Sequence, residues 1–132
     1  MQKVIELDGI TVDRDIRILA DVTWNVRSGE QWAVIGPNGS GKTSLLSILV
    51  GYLAPTEGTV TICGQTYGEV DFRELRKRFG LVSSSIRQAI EPAEPADEVV
   101  ISGRDAIINY CGVPSTAEKR RARVILKKVE GL

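Results

Sequence analysis

The stretch 31–43, QWAVIGPNGSGKT, decides the reading of this chain. Residues 31–35 are nearly all apolar and lead straight into a glycine-rich turn, the pattern of a strand buried on both faces of a parallel sheet. Leu45, Leu46 and Leu49 then recur at helical spacing, which predicts a helix over 42–50 lying on that sheet, with Gly51 as its stop. The turn between them, GPNGSGKT at 36–43, fits the phosphate-loop pattern GxxxxGK[ST] in the strand–turn–helix context it needs. A triphosphate requires several aligned donors, and a backbone supplies them only where side chains stay clear. Gly36, Gly39 and Gly41 allow a nest of inward N–H groups, and the helix behind it points its positive end at the same anion. Pro37, Asn38 and Ser40 complete the loop. Lys42 is placed to reach the β- and γ-phosphates, Thr43 to offer a hydroxyl to Mg²⁺, and Ser44 to donate near the α-phosphate.

Outward from this loop, the first third reads as strands. Runs at 3–7, 16–19 and 22–26 are short, apolar or alternating, and separated by Asp and Gly, which suits an antiparallel sheet with tight connections. Residues 58–62 alternate as another strand. Phe72, Leu75 and Phe79 mark one face of a short charged helix over 71–78, and 79–82 reads as a second buried strand. The stretch 84–97 mixes serines with Pro92 and Pro95 and is read as a long surface loop, open to a docking role or to that of a plain linker. A short helix begins at Val99. A better one begins at Ser115, where Ser115 and Glu118 have capping-box spacing and Ala122, Ile125, Leu126 and Val129 form an apolar stripe. The expected organisation is a phosphate-loop core with its antiparallel β-subdomain over 1–86, then the start of a helical subdomain over 87–132.

Bulk properties narrow the function classes. Across 132 residues, seventeen basic residues balance seventeen acidic ones, so no net field draws the chain to nucleic acid or to an anionic membrane. The cluster Lys119, Arg120, Arg121, Arg123, Lys127 and Lys128 is read as a solvated helix face in preference to a nucleic-acid or headgroup patch, because no aromatic residue interleaves with it. Cys63 and Cys111 lack metal-ligand spacing and the chain has no histidine, so two free thiols in a reducing compartment are expected. The start lacks the basic and apolar regions of a signal peptide, and no apolar run is long enough to span a bilayer.

The segment 19–64 closely resembles the opening of an ATP-binding-cassette (ABC) ATPase. The features that carry the likeness are Ser28-Gly29-Glu30 before the loop strand, GPNGSGKT itself, and Pro55-Thr56-Glu57-Gly58 before the next strand; RKRFGLV at 76–82 and VVISGR at 99–104 extend it. The resemblance implies an α/β P-loop NTPase nucleotide-binding domain with an N-terminal antiparallel β-subdomain, binding ATP and Mg²⁺. It also implies a head-to-tail pairing with a second nucleotide-binding domain, a transmembrane permease partner and a cytoplasmic location at the membrane. Nucleic acid is not an expected partner. The family's glutamine beside the metal should fall near Ser84, where the chain has Ser83-Ser84-Ser85, making Ser84 the candidate second metal contact. An aromatic platform for adenine should fall near Asp13 or Arg14, and Arg14 is either a planar cation that stacks on the base or a solvated arginine. No signature, Walker B strand, catalytic glutamate or switch histidine can be assigned, so the domain is expected to be C-terminally incomplete and its catalytic residues are unknown. The leading expectation is the ATP-binding subunit of an ABC transporter. Its rivals are a non-hydrolysing nucleotide-binding fragment or regulatory module, and a soluble ABC protein outside transport.

Overall fold

The computed structural model describes residues 2–129. It divides into two compact units, one ending at Phe72 and the other beginning at Arg73. No described helix is long and apolar enough to cross a membrane.

The first unit is built on a four-stranded antiparallel sheet of order β2-β1-β3-β4, with β1 at Lys3–Asp13, β2 at Arg17–Arg27, β3 at Glu57–Ile62 and β4 at Gln65–Thr66. Strand alternation alone would set Leu7 and Ile10 on opposite faces, yet both are buried. A register shift between them resolves this, with Gly9 at φ 60° and Asp21, on the facing strand, at φ 49°. The Gly9 N–H donates to Thr23 Oγ1 at 3.1 Å and the Asp21 N–H to Thr11 Oγ1 at 3.2 Å, so the irregularity leaves neither donor orphaned. Asp21 therefore bends a continuous strand, and the expected turn between 16–19 and 22–26 is absent.

Helix α1, Lys42–Leu49, is the segment predicted over 42–50. Leu45 and Ile48 are its buried residues and join the unit's core with Leu7, Ile10, Val12, Val60 and Ile62. Side chains of this kind stabilise the fold by about 1.5–3 kcal/mol each when fully buried. The helix stops where expected, with Val50 as C-cap and Gly51 at φ 71° donating its N–H to Ile48 O at 3.0 Å. The Tyr67 hydroxyl also donates to Ile48 O, satisfying one of the last carbonyls of the helix.

Two expected strands do not form. Residues 31–35 and 79–82 pair with no strand among the described residues. Trp32, Val34, Ile35 and Val82 are exposed, Ile35 at 92%. An interior strand is a property of its neighbours: apolar content makes a segment suited to a parallel sheet, but hydrogen bonding requires strands on either side. The entry to 31–35 is anchored at Trp32. Trp32 packs edge-on to Trp24 with ring centroids 5.5 Å apart, and its indole N–H donates to Glu30 Oε2 at 3.0 Å.

The second unit is helical. Its elements are α2 (Phe72–Arg76, starting one residue before the boundary), α3 (Ser84–Ala89), α4 (Ala96–Ser102), a 3₁₀ turn (Gly103–Asp105) and α5 (Thr116–Lys128). The stretch expected as a loop over 84–97 thus carries α3 and the start of α4. Ser83 caps α3 by accepting from the Ser85 N–H at 3.2 Å, a local bond that a run of serines supplies as readily as it supplies a loop. The predicted capping box at Ser115 and Glu118 is present, with both reciprocal bonds made. Of the predicted stripe, Ala122 is buried beside Ile101 of α4, whereas Ile125 and Val129 are exposed.

Candidate phosphate-binding site

Residues 36–44 form one continuous feature at the amino end of α1. The Ser40 N–H donates to Pro37 O at 3.2 Å, closing a turn over 37–40 that places Asn38 at its tip. Gly39 at φ 82° and Gly41 at φ 85° take the left-handed conformation that the loop needs and that side chains oppose. Gly41 is the N-cap of α1. A Cβ there would stand 2.6 Å from Leu19 Cδ2 and 2.9 Å from Ile18 O, so this glycine is required by close approach as well as by φ. A Cβ on Gly36 would likewise meet Ser40 Oγ at 2.8 Å. The two glycines allow the loop to lie on the start of β2 and to fold on itself.

The electrostatics of the helix start are open to an anion. Gly41 offers no side chain to cap α1, and the first turn contains no acidic residue. The leading N–H groups, including those of Lys42, Thr43 and Ser44, therefore present the positive end of the helix without an internal acceptor from a cap. Lys42 folds back over the loop, with Nζ donating to Gly36 O at 2.8 Å and Pro37 O at 2.7 Å and lying 3.4 Å from Ser40 Oγ. The Thr43 side chain is exposed in the first turn, where its hydroxyl is a hard oxygen donor of the kind Mg²⁺ accepts. Just upstream, the Glu30 carboxyl is held below the ordinary carboxylate range, first by the Arg27 N–H and then by the Trp32 indole.

The structure brings Gly36, Pro37, Asn38, Gly39, Ser40, Gly41, Lys42, Thr43 and Ser44 together in the first unit. Ser84 begins α3 in the second. Arg14 lies at the β1–β2 turn, lining a cleft of about 400 Å³ with Asp13, Asp15, Ala54 and Thr56. Its neighbour Arg17 is engaged by Asp13 through bonds of 2.8 and 2.9 Å. Leu19 and the Ile18 carbonyl, the wall behind the loop, were not identifiable from sequence pattern. Their role depends on how the hairpin meets α1, and no local periodicity encodes that contact.

The GxxxxGK[ST] loop leading directly into the N-terminus of a helix is the phosphate-binding element of P-loop nucleotide-binding proteins. The sequence profile described as ABC transporter matches residues 19–131, and the chain belongs to that family. It is 36% identical over 126 residues to the ABC transporter ATP-binding protein YlmA of Bacillus subtilis, covering 94% of this chain and 48% of that protein. It is 34% identical over 111 residues to the energy-coupling factor transporter ATP-binding protein EcfA1 of Lactiplantibacillus plantarum, covering 84% of this chain and 38% of that one. Among solved structures, the dimeric ATP-binding cassette MJ0796 in a post-hydrolysis state with ADP and Pi superposes with a TM-score of 0.75 at 27% identity, over 96% of this chain and 57% of that chain. The chain spans under half the length of these two curated relatives. The relatives are ATP-binding proteins of transporters, and the family hydrolyses ATP.

Proposed function

We propose that this chain supplies the triphosphate grip of an ABC transporter's ATP-binding subunit. The observation that carries the reading is the start of α1, an uncapped helix N-terminus with no acidic residue, preceded by two left-handed glycines and followed by Lys42. In this reading the N–H groups of the loop and of Lys42, Thr43 and Ser44 hold phosphate oxygens. Lys42 exchanges its two carbonyl partners for the β- and γ-phosphates, and Gly36, Pro37, Asn38, Gly39, Ser40 and Gly41 shape the cradle. Mg²⁺ would be held by the Thr43 hydroxyl, with Ser84 as a second proposed contact, and would neutralise phosphate charge. In the whole protein the partners would be a second nucleotide-binding domain arranged head to tail and a transmembrane permease, at the cytoplasmic face of the membrane.

A second reading, binding without turnover by this chain alone, is supported by the charge around the loop. No acidic residue occurs from Gln31 through Leu49, so a group that positions an attacking water would have to come from elsewhere. Titration calorimetry with Mg-ATP tests the main reading. Saturable binding that is lost or greatly weakened in Lys42→Ala is expected, and equal affinity in the two proteins would overturn it.

A further inference from the structure

Helix α5 concentrates charge that the chain as a whole balances. Lys119, Arg120, Arg121, Arg123, Lys127 and Lys128 occur with no carboxylate among them, although the complete sequence is neutral. One side of the helix is committed to α4. Ala122 is buried there, Lys119 Nζ lies 3.8 Å from Glu98 Oε1, and Arg123 Nη2 lies 4.0 Å from Asp97 Oδ2. Both contacts are long and at the surface, where such pairs hold their partners weakly. Arg120 has no ion-pair partner among the described residues.

These cations also have a shaped place to act. Lys119, Arg120 and Arg123, with Pro114 and Thr116, line a cleft of about 480 Å³. The lining residues are two arginines, a lysine, a threonine and a proline, with no acidic and no aromatic residue among them. The arginines end in guanidinium groups, whose paired N–H donors match a carboxylate. Along the helix, Arg120 and Arg123 are separated by a rise of about 4.5 Å, and Lys119 and Arg123 by about 6 Å. An extended peptide sets alternate side chains about 6.6–6.8 Å apart on one face, within reach of flexible Lys and Arg termini.

We propose that this cleft docks an acidic segment of a partner polypeptide, bound in extended form through its Asp or Glu side chains. Carboxylates are the groups these side chains already meet, at Asp97 and Glu98. A single-stranded nucleic acid is disfavoured, because grooves for it pair cations with aromatic stacking platforms and this lining has none. Exposed Val124, Ile125 and Val129 belong to the same helix, so an anionic membrane is the rival occupant that the vesicle arm of the test addresses. The proposal does not depend on the nucleotide site.

The test is fluorescence anisotropy with a labelled ten-residue oligoglutamate and the 132-residue chain. The expected result is saturable binding that falls as salt rises and weakens about tenfold in Arg120→Gln/Arg123→Gln. Arg121→Gln/Lys128→Gln, which removes the same charge from the same helix outside the cleft, should bind within about twofold of the unmodified chain. Glutamine keeps the stems and the helical preference, and circular dichroism checks that both variants are folded. Absence of binding at low salt would overturn the proposal, as would equal weakening in the two variants. Tighter binding to a ten-nucleotide thymidine oligomer or to phosphatidylglycerol vesicles would also overturn it and assign the cleft to a nucleic acid or a membrane.

Discussion

Gly41 is packed against Leu19 so closely that a single added carbon would stand 2.6 Å from Leu19 Cδ2. The phosphate loop is thereby seated on β2, and its shape is coupled to the sheet. Gly41→Ala is expected to destabilise the chain by about 1–3 kcal/mol through the left-handed backbone alone. Leu19→Ala should not rescue it, because the Ile18 carbonyl remains 2.9 Å from the new carbon and the cavity itself costs about 2–5 kcal/mol. Urea denaturation of the two single variants and the double variant measures this, and recovery in the double would count against the seating.

Nucleotide affinity should reside in the phosphates. Lys42→Ala is expected to weaken ATP binding far more than Arg14→Ala, and ATP and GTP should bind within about tenfold, or about 1.4 kcal/mol, of each other. Calorimetric titration of both variants with both nucleotides decides the point. Strong preference for one base would indicate specific contacts beyond the loop.

Turnover by this chain alone is expected to be no faster than in a Lys42→Ala control. A P-loop with Mg²⁺ neutralises charge at the γ-phosphate, but attack by water also needs a group that positions the nucleophile. No acidic residue lies within the loop or the first turn of α1. A phosphate-release assay showing Lys42-dependent hydrolysis at about one per second or more would contradict this.

The capping box of α5 should give the second unit a recognisable acid response. The Glu118 carboxyl is lowered from 4.5 to about 2, chiefly by the Ser115 hydroxyl, then the Ser115 N–H, then Arg104 at 2.6 Å. A depressed carboxylate contributes stability above its ordinary value and loses it as pH falls toward the folded value. Thermal melts of the unmodified chain and Glu118→Gln should therefore differ most above pH 4.5 and converge toward pH 2. A gap that does not change across that range would separate Glu118 from the effect. Ser115→Ala should cost about 1 kcal/mol by removing the cap.

Exposure of Trp32, Val34, Ile35 and Val82 predicts self-association of the isolated chain. Ile35→Lys should shift light scattering toward the monomer while leaving the far-ultraviolet spectrum unchanged. A monodisperse unmodified chain would show that these side chains are harmless in solution.

What could be read from sequence was what local chemistry determines. GPNGSGKT, the helix after it with Leu45 on its inner face, its stop at Gly51 and the Ser115–Glu118 cap all depend on residues within about one helical turn of each other, whereas of the other two leucines expected on that face Leu46 is exposed and Ile48 is buried instead. The failures depend on partners. Residues 31–35 and 79–82 have strand composition but no ladder, Asp21 resembles a turn residue and serves a β-irregularity, and α3 was hidden because its capping serines also favour loops. Leu19 could not be assigned to the site at all, since its proximity to Gly41 exists only once hairpin and helix have met.

The bonds from Lys42 to Gly36 O and Pro37 O also bear on how the loop discriminates among ions in solution. While its cation is occupied by two carbonyl dipoles, the loop acts as its own competitor: an anion gains the lysine only by displacing contacts already made. A singly charged ion has little with which to compete, whereas a polyphosphate can engage the backbone donors first and then draw the lysine across. The lysine thus works as a threshold, and the site should respond to chain length of phosphate more steeply than to concentration of phosphate.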